Sequence, residues 1–405
     1  MTSKILPKKI TSINVANQHE KLGLLTHGAV YNYQPTSDDA FVSLTMTRRD
    51  LRSYNSGALH PIFSQNLPEG FNRRFIAERL ARYAKLDDMY LLALQQNNGI
   101  GQLCYQSELQ LDDVEPLSLT DILDYQGTES LFPQLLERYY LRNAVSGVQP
   151  KVSISNITDR TVPQPGVIVK TYDEAFPLLT VNEYVCMQAA QACGLAPPAT
   201  YLSNDLQHFV IERFDRPNGQ WLGYEDFTTL MKRANTPDAK YQGSYEALLR
   251  ATMLYTNNLQ EVTRMYRYIV FNCLIGNGDA HLKNFALQYT PDMNAIFVSP
   301  PFDITHTLIY EDIDNKMALK MAGSKEFPSF SHLLALADGP GFKIRGAKDI
   351  IHEFAQRIEE LLVDSEEVKL IDGLKESISR HLSRTMHQTA TVSTYRHDKK
   401  RKYPK

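Results

Sequence analysis

Residues 276–285, "GNGDAHLKNF", crowd an aspartate, a histidine, a lysine and an asparagine between two apolar runs, "MYRYIVFNCLI" before them and "FALQY" at their end. The first run is apolar enough for a buried helix and the second reads as a strand. The polar knot is therefore a loop tethered at both ends. No other stretch constrains the fold as much, because a helix has to lead into it and a strand has to leave it.

Asp279 and Asn284 stand five apart. At that spacing kinase catalytic loops put an aspartate near the acceptor hydroxyl and an asparagine on a magnesium ion. Lys283, between them, is placed to neutralise charge developing on a transferred phosphoryl group. Such chemistry needs a second carboxylate, and Asp303 supplies one in "PPFDIT", after the strand-like "AIFVSP". Magnesium takes hard oxygen ligands and keeps several waters, so one amide oxygen, one carboxylate and the phosphates of ATP suffice. On its own the spacing is short, and Asx residues cap turns routinely, so the rest of the chain has to decide.

Three further pieces occur in the expected order. In "SGVQPK" the backbone amides of Ser146, Gly147, Val148 and Gln149 can surround phosphates, with Lys151 closing the turn. Lys170 ends the apolar strand "GVIVK", where a lysine pairs with a nucleotide phosphate, and Glu183 on the following helix is placed to orient it. "VIERFDR", residues 210–216, reads as the strand that crosses into a hinge, where Glu212, Arg213 and Phe214 would meet adenine. Singly, these are also a hairpin turn, a surface lysine and an edge strand. Their joint order makes a kinase the leading reading.

The remaining organisation fits two lobes preceded by a further unit. Residues 1 to about 110 mix β-like runs such as "AFVSLTM" with "FNRRFIAERLARYAKL", whose Phe75, Leu80 and Tyr83 fall at roughly helical spacing. The polar, acidic "QSELQLDDVE" breaks that pattern, and the domain change is placed near it. Residues 111–245 carry the candidate strands "VSIS" and "GVIVKTY", a helix from Thr180, with threonine as its cap and glycine at its end, and the strand "HFVIERFD". Residues 246–395 are mainly helical, with amphipathic stretches such as "IIHEFAQRIEELL". The expected class is α+β, a two-lobed kinase-like fold behind a small N-terminal mixed domain. No internal repeat is present, and residues 396–405 form a basic tail with six Lys or Arg.

Composition bounds the partners. With 43 Lys and Arg against 46 Asp and Glu, the formal charge of -3 gives no global attraction to nucleic acid. The basic tail is a local patch, read either as a solvated end or as a DNA contact made in company with a partner. Cys104, Cys186, Cys193 and Cys273 show no metal or disulfide spacing, which fits a reducing cytoplasm. No signal-peptide core and no apolar window near about 18 residues occurs, so a soluble intracellular protein without a membrane span is expected.

Together "SGVQPK", "NEY", "ERFDR", "NGDAHLKNF" and "PFDI", in this order, resemble the HipA-type serine/threonine kinases, the toxins of HipBA toxin–antitoxin pairs. "LHPIFSQNLPEG" and the helix after it resemble the N-terminal subdomain of that family, so the resemblance spans nearly the whole chain. It implies Asp279 as catalytic base, Asn284 and Asp303 as magnesium ligands, and Lys170 as the phosphate-binding lysine. The turn Ser146 to Lys151, the hinge Glu212 to Phe214, and His281 with Phe302 would complete the ATP site. It further implies an aminoacyl-tRNA synthetase or another translation component as protein substrate, growth arrest and persistence as outcome, and a helix-turn-helix antitoxin of the HipB type that binds operator DNA. One departure stands out. The serine that family members autophosphorylate three residues ahead of the turn glycine is Ala144 here, which shifts the expected regulatory phosphosite to Ser146. A small-molecule or lipid kinase, and a silent ATP-binding co-repressor that bridges its antitoxin, are the competing readings.

Overall fold

A computed structural model of the chain describes residues 6–46, 54–112, 114–115, 117–142, 150–154, 157–159, 162–164, 166–172, 174–233, 236–311 and 313–387. The basic tail and the turn from Ser146 to Gln149 lie outside the described residues.

The N-terminal region is a five-stranded antiparallel sheet of Ser12–Ala16, Lys21–His27, Tyr31–Pro35, Tyr54–Ser56 and Cys104–Gln106, with helices Gly70–Leu80 and Asp88–Gln95. Its own apolar cluster includes Ile13, Leu25, Tyr33, Phe63 and Tyr90. Two expectations fail here. "AFVSLTM" forms no strand, because Ser43 Oγ and the Leu44 amide are used on the Glu225 carboxylate, at 2.8 and 2.6 Å, instead of a neighbouring strand. Tyr83 lies past the end of its helix at Leu80 and is 61 % exposed.

A second sheet holds Lys151–Ile154, Val167–Lys170, Phe209–Glu212 and Thr200–Leu202, with the lysine strand Val167–Lys170 flanked by the first and the third of these. Runs of β-branched valines and isoleucines, most of them buried, suit these positions. Helix Leu179–Ala192 follows the lysine strand. Thr180 is not its cap: Leu178, in the left-handed region, takes the cap position, while Thr180 Oγ1 donates to the Leu206 carbonyl at 2.6 Å from inside the helix. This helix buries Val181, Val185 and Ala189 in the cluster of the C-terminal lobe.

That lobe is mainly helical: Tyr245–Thr256, Leu259–Ile275, Ala347–Asp364 and Leu374–His387 pack around Phe271, Phe354 and Ile378. A small sheet of Gly223–Asp226, Ala286–Tyr289 and Ile296–Val298 carries the chain out of the polar knot and back. All four cysteines are buried thiols without a disulfide. Among the described residues no helix is long and apolar enough to cross a membrane.

Three buried groups weld the N-terminal region to the rest. Arg213, 4 % exposed, donates to the carbonyls of Asn98 and Gly99 and pairs with Asp215, whose carboxylate also accepts the Gly101 amide at 2.8 Å. Glu225, fully buried, accepts from Ser43, Leu44 and Tyr289. Gln65 donates to the Tyr224 carbonyl. Buried polar groups are tolerated when satisfied in this way.

Candidate active site

Helix Leu259–Ile275 starts at Asn258, whose side chain accepts from the Gln260 amide, and stops at Gly276 with φ of +79°. Glycine is required there for more than its left-handed backbone. A Cβ on Gly276 would lie 2.8 Å from His306 Nδ1, and one on Gly278 would lie 2.7 Å from the Lys316 carbonyl and from Thr307 Oγ1. The two glycines thus let the loop press against the segment that follows Asp303.

Most of the polar residues then build the loop. Asn277 Nδ2 donates to Asn272 Oδ1 at 2.7 Å, while its own Oδ1 accepts the Asp279 amide at 3.1 Å. The His281 amide reaches the Asp279 carbonyl and Asn284 Oδ1, and the Asn284 amide returns to the His281 carbonyl, closing the short turn Leu282–Asn284. Tyr245 OH holds the Ala280 carbonyl. Tyr268, on the preceding helix, sets its hydroxyl against the carbonyls of Asn284 and Phe302 and accepts the Phe302 amide, so one buried phenol ties the loop to the Asp303 segment.

Opposite, Lys170 reaches across from the second sheet. Its Nζ lies 2.5 Å from Glu183 Oε1 and 2.5 Å from Asp303 Oδ1, and Asn284 Nδ2 donates to the other Asp303 oxygen at 2.7 Å. Asp303 itself has φ of +58°. A left-handed aspartate is backbone strain of the sort that clusters at working sites. Burial alone would raise the Asp303 pKa, but the Lys170 and Lys151 ammonium groups outweigh it and hold the carboxyl well below its ordinary range. Burial would likewise lower Lys170, yet Asp303 and Glu183 keep its pKa above the ordinary value and the amine charged. Lys151, 6 % exposed at the end of the turn, is lowered by burial first.

A cavity of about 630 Å³ between the lobes is lined by Lys151, Lys170, Asp279, His281, Lys283, Phe302 and Asp303 together with the hinge Glu212, Arg213 and Phe214, while Glu183 and Asn284 stand behind Lys170 and Asp303 and do not line it. Phe214 and Phe302 stack at 5.4 Å between ring centres. In the hinge the Glu212 amide is engaged by the Ala199 carbonyl and the Phe214 carbonyl by Gln288. The Arg213 side chain points away to Asn98 and Gly99, so only its backbone can serve a base. A larger cavity of about 1330 Å³ shares the hinge but contains none of Lys170, Asp279, Asn284 and Asp303.

Asp279 opens onto the cleft, with Tyr241 OH 3.5 Å from Oδ1. The surrounding protein pushes its carboxyl up to about 6, against the opposing charge of Lys240. His281, 7 % exposed, is pushed down to about 3 by burial and by Lys240, and its Nδ1 has no hydrogen-bond partner. Asp279 has to be ionised to accept a proton, whereas the depressed pKa of His281 makes its imidazole a weak proton acceptor. Phosphate transfer at saturating nucleotide is therefore expected to fall about tenfold per pH unit below about 6, through Asp279 alone. A rate flat down to about pH 5 would contradict this.

Lys283, which lines the cleft, has a partner that its spacing did not announce. Its Nζ is held by Glu69 Oε1 at 2.6 Å, a partner from the N-terminal region. Sequence spacing also gave no sign of Glu69, Tyr241 or Tyr268, all of which reach the loop from distant positions.

The arrangement can bind a metal–phosphate group and deprotonate a hydroxyl. The donor chemistry fits magnesium: Asp303 is a carboxylate held ionised, and Asn284, whose Nδ2 donates to it at 2.7 Å, carries beside it the kind of amide oxygen that a hard cation takes. Among the described residues no trio of His, Cys, Asp or Glu offers a softer metal site.

The description of the HipA-like C-terminal domain matches residues 143–362, and that of the HipA N-terminal domain matches residues 13–106. A putative kinase of Sinorhizobium fredii, Y4dM, is 28% identical over 373 residues, which cover 82% of this chain and 87% of that protein. The serine/threonine-protein kinase toxin HipA of Shewanella oneidensis is 24% identical over 283 residues, covering 62% of this chain and 64% of that one. Among solved structures, a chain of the Shewanella oneidensis HipA, HipB and operator DNA complex superimposes with a TM-score of 0.67, over 92% of this chain and 97% of its own, at 20% identity, which shows a common fold. With both HipA domains in order, and one of them covering more than half of its length, the chain belongs to the HipA family.

Proposed function

We propose that this protein is an ATP- and magnesium-dependent serine/threonine protein kinase that acts as the toxin of a HipBA-type pair, arresting growth by phosphorylating a translation component such as an aminoacyl-tRNA synthetase. The observation that carries this reading is the linked chain Glu183–Lys170–Asp303–Asn284, of which Lys170 and Asp303 line the same cleft as Asp279. Phosphoryl transfer asks for a cationic clamp, hard oxygen donors for a metal and a proton acceptor in one cleft.

In this reading Asp303 and Asn284 hold the magnesium ion, which neutralises charge on the transferred phosphate. Lys170 binds phosphate oxygens, kept in place by Glu183. The Glu212 carbonyl and the Phe214 amide are the hinge groups left to meet the adenine edge, with Phe214 and Phe302 against its ring. The acceptor oxygen forms its bond to the γ-phosphorus as the bond to the bridging oxygen of ADP breaks, and the hydroxyl proton passes to Asp279. The amides from Ser146 to Gln149 would cradle the phosphates, and a phosphate on Ser146 would bring close to two negative charges to the same place. The division into residues 1–110, 111–245 and 246–395 belongs to the same proposal. So do a cytoplasmic site of action and a helix-turn-helix antitoxin, through which alone operator DNA is contacted.

Induced expression in a bacterial host tests the toxin role. Growth is expected to stop with the unaltered chain, to continue with Asp279→Asn at equal protein level, and to resume when the antitoxin is supplied. Arrest that persists with Asp279→Asn would show that catalysis is not how the chain acts.

A further inference from the structure

The partner of Lys283 lies outside every motif of the kinase-like lobes. Glu69 sits at the N-cap position of helix Gly70–Leu80, yet its side chain makes no capping bond to that helix. Its carboxylate is spent on the catalytic loop instead, at 2.6 Å from Lys283 Nζ. An exposed pair of long side chains contributes little, because both lose rotamers to meet. Here the geometry differs on both sides. Lys283 is only 17% exposed, and the backbone that carries Glu69 is clamped before and after it.

Four residues earlier, Gln65 (6% exposed) donates to the Tyr224 carbonyl at 2.8 Å and accepts the Asp226 amide and Thr229 Oγ1 at 3.2 Å each. Three residues later, Asn72 (1% exposed) donates to the Lys151 carbonyl at 3.0 Å, on the strand that leaves the phosphate turn. Glu69 is thus carried by a short segment bolted at one end to strand Gly223–Asp226, which pairs with the strand leaving the catalytic loop, and at the other to the strand leaving the phosphate turn. Asp226, 3% exposed, is a second fixed carboxylate whose charge acts with that of Lys283. Lysine is a point charge on four rotatable bonds, and without Glu69 the amine could swing toward Asp226 or Asp279. A lysine on Asp279 would weaken the base and crowd the acceptor.

We infer that Glu69 is a positioning residue for phosphoryl transfer: through Lys283 the N-terminal region sets where the loop's cation stands between Asp279 and Asn284. The cleft is then completed by a residue outside the kinase-like lobes. This inference rests on the kinase reading of that cleft.

The test uses the full chain, with transfer kinetics and nucleotide affinity measured for the wild type, Glu69→Gln, Lys283→Met and the double variant. Glu69→Gln is expected to lower kcat about 10- to 100-fold, the scale of an ångström's misplacement, with nucleotide affinity within about twofold. Because Glu69 acts only through Lys283, the double variant is expected to lose no more than Lys283→Met alone. Glu69→Asp, which keeps the charge on a shorter arm, is expected to fall between wild type and Glu69→Gln. A melting temperature for Glu69→Gln within about 2 °C of the wild type separates positioning from simple tethering. Unchanged kcat in Glu69→Gln, a loss matched by a fall in melting temperature, or multiplicative losses in the double variant would overturn the inference and leave the kinase reading standing. A wild type that transfers no phosphate would overturn that reading, and the inference with it.

Discussion

With asparagine in place of Asp279, phosphate transfer is expected to fall between about a hundredfold and ten-thousandfold, while nucleotide affinity changes by less than about threefold. The substitution leaves the loop's framework alone. The Asp279 amide stays on Asn277 Oδ1 and its carbonyl still accepts the His281 amide, because both are backbone groups. Lys170, Asn284 and Asp303 hold each other independently of the Asp279 side chain. What disappears is the one carboxylate on the loop that can take a proton at neutral pH, with its pKa of about 6. Steady-state kinetics with calorimetric nucleotide binding separates the two effects. A loss below about tenfold would remove Asp279 as the base, and a collapse of affinity would move it to the nucleotide side.

Lys170→Met is expected to have two large effects. Transfer falls by about a hundredfold to a thousandfold, as when one electrostatic donor to a developing charge is removed. The fold also loses about 3–5 kcal/mol near neutral pH, because Glu183, with a fully buried side chain, is left without its cation. The pH dependence has a definite sign. Burial raises the Glu183 pKa, and the Lys170 charge is the largest opposing effect. Even with that charge the folded pKa stands at about 7, above the unfolded one, and removing it lifts the folded value further, so the protonated, stable form prevails at acid pH and stability is lost as pH rises through the folded value. Urea unfolding should therefore show a smaller deficit at about pH 5 than at about pH 8. Adding Glu183→Gln should remove most of that difference. A deficit equal at both pH values would contradict the buried pair.

The site was legible where its parts are local. The five-residue spacing of Asp279 and Asn284, and a lysine closing an apolar strand ahead of a helix with an inward glutamate, are short-range patterns. The helix into the loop and the strand out of it follow from apolar periodicity alone. What stayed hidden depends on distant pairing. Glu69 meets Lys283 from 214 positions away, and Tyr268 joins Asn284 to Phe302 through its hydroxyl. No spacing rule reports such a contact. The misread "AFVSLTM" run teaches the same lesson from the other side. Its apolar residues are buried or half-buried, Val42 fully so, but its polar groups serve Glu225 from another region instead of a strand partner. The cap of helix Leu179–Ala192 was misplaced because Thr180 Oγ1 has a better acceptor in Leu206 than its own first turn.

The most direct test of the central claim is transfer of label from γ-labelled ATP to protein in a cell extract, run with magnesium, with a chelator, and with Asp279→Asn. A labelled protein band of translation-factor size that requires magnesium and vanishes in the variant is the predicted result. Label that appears equally with Asp279→Asn, or that enters only a soluble metabolite, would contradict a protein kinase centred on Asp279.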